Sequence, residues 1–346
     1  KAQAWVGLQL PHLPDAERWR RLGTATRWNA LEAQVNADGG HEENSSGYHS
    51  AVWMDGMETA LLVRAAGDPV PPRALAALGR MGEFAAALRR PDGRLPLLND
   101  SNEDEPVPLD SAFSLAATLL GEASPPEPPG GARAFPDTGY AVLRAGADPD
   151  TASYLLFDAG ELGPRHCPGH GHADALGLEF WSRGQAILVD AGTFQYPDGE
   201  WRDYFRSTAA HSTATVDGES QSSFAGPFRV DHMAGARLLA SGEDGSLAWA
   251  EGEHDGYLRL THPVIHRRRV SLEGPHTLRI EDTFTSPTGS ESGSDSGSDS
   301  PRPHGPRPRG HHEVAVHFHM APAEVTRNLE GDEGEASLGF ASGATA

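Results

Sequence analysis

Apolar positions recur first at helical spacing and then at strand spacing, and the change of period divides the chain in two. Over 51–66 the residues Val52, Met57, Ala60, Leu61 and Val63 fall on one helical face. Over 73–89, Leu75, Leu78, Met81, Phe84 and Leu88 do the same, and Pro91-Asp92-Gly93 breaks that helix. A third helix is predicted over 110–120, with Asp110 as its N-cap ahead of Ala112, Phe113, Leu115, Ala116 and Leu119. The Pro/Gly-rich stretch 123–136 reads as a connector. From Tyr140 the segments YAVLRA, SYLLFD, LGLEFW, AILVD, TATV, RVDHMAGARLL, LAWAEG, VIHRRRVSL and HTLRIEDTF are short, alternating or β-rich, and separated by turn residues. The expectation is an α+β chain of two domains, helical over 1–122 and a large antiparallel β-sandwich over 137–346. Residues 286–312 are a Ser/Gly/Pro/Asp insert that cannot build a core and is expected to be disordered, which makes His304, His311 and His312 poor ligand candidates. The segment EVAVHFHM then resumes the sandwich, with His317 and His319 read as structural.

Chemistry-bearing residues concentrate between 165 and 222. An alternating strand through His170-Gly171-His172-Ala173-Asp174 would place His170, His172 and Asp174 on one face. The apolar run 186–189 delivers Asp190 at its end, and His211 stands at the mouth of a strand over 212–216. Two imidazoles and a carboxylate are the donor set of a Zn²⁺ site that keeps a fourth position open. The spacing is not a generic zinc signature, and histidines that cap strands or bond carbonyls would read the same way. Cys167, the one cysteine, excludes an internal disulfide and is expected to be a buried, inert thiol rather than a fourth ligand.

Two loops of the helical half are polar enough to face a cleft. One carries His41, Glu42, Glu43, Asn44, Tyr48 and His49, and the other runs from Leu98 through Asn99, Asp100, Ser101, Asn102 and Glu103 to Asp104.

A net charge of -21 argues against nucleic acid as a partner, because binding to phosphate backbones is mostly electrostatic. It also demands a local basic patch if the ligand is a polyanion, for which Arg165, Arg202, Arg206 and Arg267 to Arg269 are candidates. No apolar run reaches the length of a membrane span. The chain enters helix-like sequence at Lys1 without a methionine, the expectation for a fragment or processed product.

The blocks HGHADALGLEFW, LVDAGTFQY and WRDYFRSTAAHSTATVDGESQS, in that order, resemble the heparinase II/III-like polysaccharide lyases, relatives of alginate lyases. The resemblance covers roughly 135–285, with a weaker echo in DGGHEENSSGYH at 38–49. It implies an N-terminal (α/α) toroid, here lacking its earlier turns, followed by an antiparallel β-sandwich carrying one structural zinc. It makes His172, Asp190 and His211 the metal ligands and points His170 into the cleft. It further implies β-elimination of a uronate-containing acidic polysaccharide, a glycosaminoglycan, alginate or exopolysaccharide, in the periplasm, cell envelope or exterior.

On this reading His170 serves acid/base chemistry, and His49, Asn44 and Tyr48 line the carboxylate side. Glu43, Arg202 and Arg206 contact substrate. The family's helical-domain tyrosine has no counterpart, since none occurs between Tyr48 and Tyr140. Two alternatives follow: a silent relative that binds acidic polysaccharide, and a zinc hydrolase with Asp174 or Glu179 as base.

Overall fold

The computed structural model describes residues 1–103, 108–121, 130–146, 152–274, 276–287 and 312–321, together with the backbone of 325–329 and 336–340. Most of the connector and nearly all of the low-complexity insert lie outside the described residues.

Five helices come first: α1 (Ala2–Gln9), α2 (Ala16–Gln34), α3 (Ser46–Ala65), α4 (Pro72–Leu88) and α5 (Leu109–Leu120). Their core gathers Trp28, Leu31, Trp53, Met57, Leu78, Met81 and Phe113, and the Trp53 indole N–H donates to Leu78 O at 2.9 Å. The helix read over 51–66 starts five residues earlier, because Ser45 caps it by accepting the Tyr48 N–H. Tyr48 and His49 therefore sit in the first turn of α3 and not in a loop.

Strands follow: β1 (Gly131–Phe135), β2 (Tyr140–Ala145), β3 (Ser153–Asp158), β4 (Leu178–Ser182) and β5 (Gln185–Leu188) form one antiparallel sheet in that order. A short helix, α6 (Glu200–Arg206), precedes β6 (Ala214–Val216), β7 (Ser223–Gly226) and β8 (Arg229–His232). A second antiparallel sheet is made by β9 (Ala236–Asp244), β10 (Leu247–His254), β11 (Ile265–Glu273) and β12 (Leu278–Thr285). Finally β13 (Val314–Val316) pairs with β6, and β14 (Val325–Leu329) with β15 (Ala336–Phe340).

The two larger sheets pack face to face through Leu143, Leu155, Phe157 and Phe180 on one side and Ala250, Val270 and Leu272 on the other. The opposite face of the first sheet, with Tyr140, Val142, Tyr154, Leu156 and Trp181, packs on Phe84, Leu88 and Leu98 of the helical part. That is why β3 reads as an unbroken apolar run whereas β10 alternates: β3 is covered on both faces and β10 on one. Hydrogen bonds seal the contact, with Tyr154 Oη donating to Leu88 O at 2.9 Å and Arg144 Nη2 to Arg89 O at 2.6 Å.

The expected strand over 170–174 does not form. Gly171 packs so close to Leu162 O that any Cβ there would collide with it, and the Ala173 N–H bonds Arg206 O across the loop at 2.9 Å. Such a loop satisfies its backbone by reaching sideways, not through a ladder. Cys167 is exposed, contrary to the expectation of a buried thiol.

One buried ion pair ties the second sheet to this loop region. Asp282 accepts Arg268 Nε at 2.7 Å and Nη2 at 2.9 Å, while Arg268 Nη1 donates to Leu176 O at 2.8 Å and Ser212 O at 2.7 Å. Burial works against the Asp282 charge, but the bonds from His266 and Arg268 prevail and hold its carboxyl well below the usual range. A depressed folded-state pKa gives stability that is present above the unfolded pKa and is lost as pH falls. Denaturant midpoints measured against pH should therefore drop below about pH 4 in the parent. Asp282→Asn is expected to lose roughly 3 kcal/mol at neutral pH and to show a flatter acid limb.

Candidate active site

The site forms where three loops meet on the edge of the first sheet. Asn44, in the left-handed region at φ 55°, turns the chain into α3. The loop after α4 is latched onto that turn by hydroxyls: Ser101 Oγ lies 2.9 Å from Ser45 Oγ and 3.0 Å from Ser46 Oγ, and accepts the Gly47 N–H at 2.9 Å. Asn99, also at φ 55°, joins all three loops. Its Nδ2 donates to Asn44 O at 3.0 Å and its Oδ1 accepts the His172 N–H at 2.6 Å. A fourth segment closes on the loop after α4, where Gly192 at φ 59° packs against Ser101 O with no room for a Cβ.

Asp100 is the hub. Its side chain is fully buried, with Oδ2 3.0 Å from His170 Nδ1 and Oδ1 3.0 Å from His172 Nε2. Arg202 grips both oxygens, through Nη2 to Oδ2 at 2.8 Å and through Nη1 to Oδ1. Burial opposes the charge, yet the hydrogen bonds from His170, His172 and Arg202 outweigh it and keep the carboxyl ionised far below its ordinary range. The same bonds fix the ring orientation: His170 donates from Nδ1 to the carboxylate.

His170 is the imidazole that opens to the cleft, with a quarter of its side chain accessible. Tyr48 lies against its ring at a centroid distance of 4.1 Å, and Phe228 meets it edge-on at 6.0 Å. Glu43 Oε2 is 3.8 Å from Nε2, and burial raises the Glu43 pKa. The Tyr48 hydroxyl stands 3.4 Å from that of Tyr196, which the segment after Asp190 carries in from the sandwich.

The three expected metal ligands are neighbours. His172 and His211 have ring centroids 5.3 Å apart, and His211 Nδ1 is 2.7 Å from Asp190 Oδ2. His211 Nε2 bonds Phe205 O at 3.1 Å; although burial disfavours its charge, Asp190 raises its pKa to about 9. Burial lowers His172 to about 4, so its ring is neutral, and its buried Nδ1 has no partner. Among the described residues, no three His, Cys, Asp or Glu side chains are drawn together as around a bound metal ion. The donor chemistry nonetheless suits one: both Nε2 atoms are oriented by outer partners, Asp100 and Phe205 O, His172 Nδ1 is buried without a partner, and His211 Nδ1 meets Asp190.

Other expected residues are placed differently. His49 is turned into the helical core, where Nε2 meets Met81 O at 3.1 Å and the ring packs on Phe84, so it does not line the cleft. Arg202 and Arg206 are fully buried and cannot grip a substrate acid from solvent. Arg202 braces Asp100, while Arg206 donates to Gly171 O at 3.1 Å and Pro227 O at 3.0 Å, fixing the loop under His170. Asn44 Nδ2 donates to Glu161 O at 2.7 Å. Sequence reasoning missed Asp100 and Tyr196 as site residues. The polar loop around Asp100 was visible, but a single acid within it carried no periodic signal.

A helical half whose loops close, through one buried aspartate, on a partly exposed histidine carried by an antiparallel sandwich defines an α+β protein with polar residues where its two parts meet. The chain belongs to the heparinase II/III family: residues 127–345 match Heparinase II/III-like, C-terminal, and residues 1–122 match Heparinase II/III N-terminus. It is similar to a heparin-sulfate lyase of Bacteroides thetaiotaomicron, 24% identical over 75% of this chain and 40% of the relative. A heparin-sulfate lyase of Pedobacter heparinus is 24% identical over 62% of this chain and 35% of its own length. A solved heparinase III with methylated lysines shares the fold at a TM-score of 0.71 and 21% identity, over 94% of this chain and 47% of that one. The chain thus spans less than half the length of these relatives.

Proposed function

We propose that this chain carries the catalytic cleft of a polysaccharide lyase that cleaves a uronate-containing glycosaminoglycan by β-elimination. The observation that carries the reading is His170: Asp100 holds its Nδ1, a quarter of its side chain is accessible, and the Tyr48 ring lies against it with the Tyr196 hydroxyl 3.4 Å from that of Tyr48. The names of the similar lyases and the family membership support the same substrate class.

Elimination requires removal of the weakly acidic C5 proton of a uronate and departure of the oxygen at C4. His170 Nε2 takes the C5 proton, and Asp100 stabilises the imidazolium that results. The hydroxyl of Tyr196, 3.4 Å from that of Tyr48, protonates the leaving oxygen, a role for which the helical half offers no tyrosine after Tyr48. Glu43, 3.8 Å from His170 Nε2, is placed to hydrogen-bond the substrate carboxylate when it carries a proton, as enolate-like charge builds up. Tyr196→Phe is expected to lower kcat by roughly 100-fold or more with little change in KM, as loss of a general acid does.

Zinc at His172, Asp190 and His211 is part of the proposal. When bound, it cross-links the strand end at Asp190 to the loops holding His172 and His211, and so stiffens the support of His170. Metal analysis of the purified protein should find about one zinc per chain, lost in His172→Ala and in His211→Ala; a parent without metal contradicts this part. The reaction class is tested by the mass of the products. Elimination gives fragments that add no water, whereas hydrolysis adds one water per cleaved bond.

A further inference from the structure

The helix α6 presents two chemically opposite faces. Arg202 and Arg206, four residues apart, point into the site, while Trp201 and Tyr204 point out and are 51% and 43% exposed. Phe194, 65% exposed, joins them: its ring centroid lies 6.1 Å from that of Trp201 and 5.8 Å from Phe205, which also touches Trp201 at 6.3 Å and Tyr204 at 5.4 Å. Four aromatic rings in mutual contact form a stiff apolar surface in water, and contiguous exposure of this kind marks a binding surface. Among the described residues these rings remain exposed.

We propose that Phe194, Trp201 and Tyr204 form a remote subsite that stacks on sugar rings of the polysaccharide chain whose uronate is held at His170. The inference rests on the lyase reading above and adds a second point of attachment to it.

Continuity with the cleft is the argument. Phe228, 46% exposed, stands 6.0 Å from His170 and stacks with Tyr196 at 6.0 Å. The Arg202 guanidinium sits over both rings, 5.3 Å from Phe228 and 5.6 Å from Tyr196. Aromatic contacts therefore run from His170 through Phe228 to Tyr196, which stands two residues along the chain from Phe194. Charge supplies none of the attraction, so the contact is apolar. Glu200 and Asp203 are exposed on the same helix and its arginines are turned inward, in a chain of net charge -21. Such a surface repels sulfate and carboxylate groups. A sugar ring also offers apolar C–H faces, which pack on aromatic rings without help from charge.

The test measures tryptophan emission and kinetics on the same polymer. Adding a long glycosaminoglycan should change the emission of the parent, and of His170→Ala, but not of Trp201→Phe, which keeps a ring and keeps the affinity. The double variant Phe194→Ala/Trp201→Ala should raise KM about tenfold for long chains, with kcat intact and with the shortest cleavable fragments unaffected. The emission change should survive raised salt, because stacking is not screened. Equal losses on short and long substrates would overturn the proposal. So would an emission at Trp201 that neither polymer nor acrylamide alters, since another part of the protein would then cover the patch. If no polymer is cleaved, the lyase reading fails, while the emission titration with His170→Ala still decides whether the patch binds polysaccharide.

Discussion

Asp100→Ala is expected to destabilise the protein by roughly 3–5 kcal/mol, the cost of leaving buried charge unpaired, and to abolish turnover. Removing the carboxylate strands the buried Arg202 guanidinium and takes away the acceptor of both His170 Nδ1 and His172 Nε2. The lost side chain is also the link between the helical loop and the sandwich. Asp100→Asn separates the two losses. Its amide preserves volume but can accept on only one of the two atoms that now receive four contacts, so part of the stability should return while activity stays low. Denaturant unfolding of the parent and both variants, with lyase activity measured beside it, checks this. Near-parental stability in Asp100→Ala would show that the hub does not hold the loops together.

The two structural classes were legible because each was written in a period. Three helices and most strands stand where the spacing of Leu78, Met81 and Phe84, or the run Tyr154 to Phe157, placed them. His170 could be singled out because His-Gly-His at the centre of a polar block is chemically conspicuous. Loop geometry was not legible. His170 to Asp174 looked like a strand, but its backbone partners are Arg206 O and neighbouring turns, which no periodicity encodes. Arg202 and Arg206 looked like substrate grips because a sequence does not say which way a helix of seven residues faces. Buried, they become braces for Asp100 and the loop under His170. The missing helical-domain tyrosine suggested a silent relative, yet Tyr196 arrives from across the fold, 148 residues after Tyr48, and only tertiary contact pairs them.

His170→Ala carries the second large effect, and its signature is the reverse of the hub's. The side chain is partly exposed, and Asp100 keeps its bonds to Arg202 and His172 without it, so the fold should be kept to within about 1 kcal/mol. Turnover should fall by roughly 10²–10⁴, the contribution of a positioned general base. KM should change little, because the imidazole acts on a proton that moves only in the transition state.

Ultraviolet absorbance tests the central claim most directly. Parent and His170→Ala protein, each including any helical segment that precedes Lys1 in the native polypeptide, would be incubated with a panel of uronate polymers, and the band of the unsaturated uronate followed. The account predicts a band that grows with the parent on at least one glycosaminoglycan and stays at background with His170→Ala. A parent that binds polymer without producing the band, or a variant that produces it at the parental rate, would contradict it.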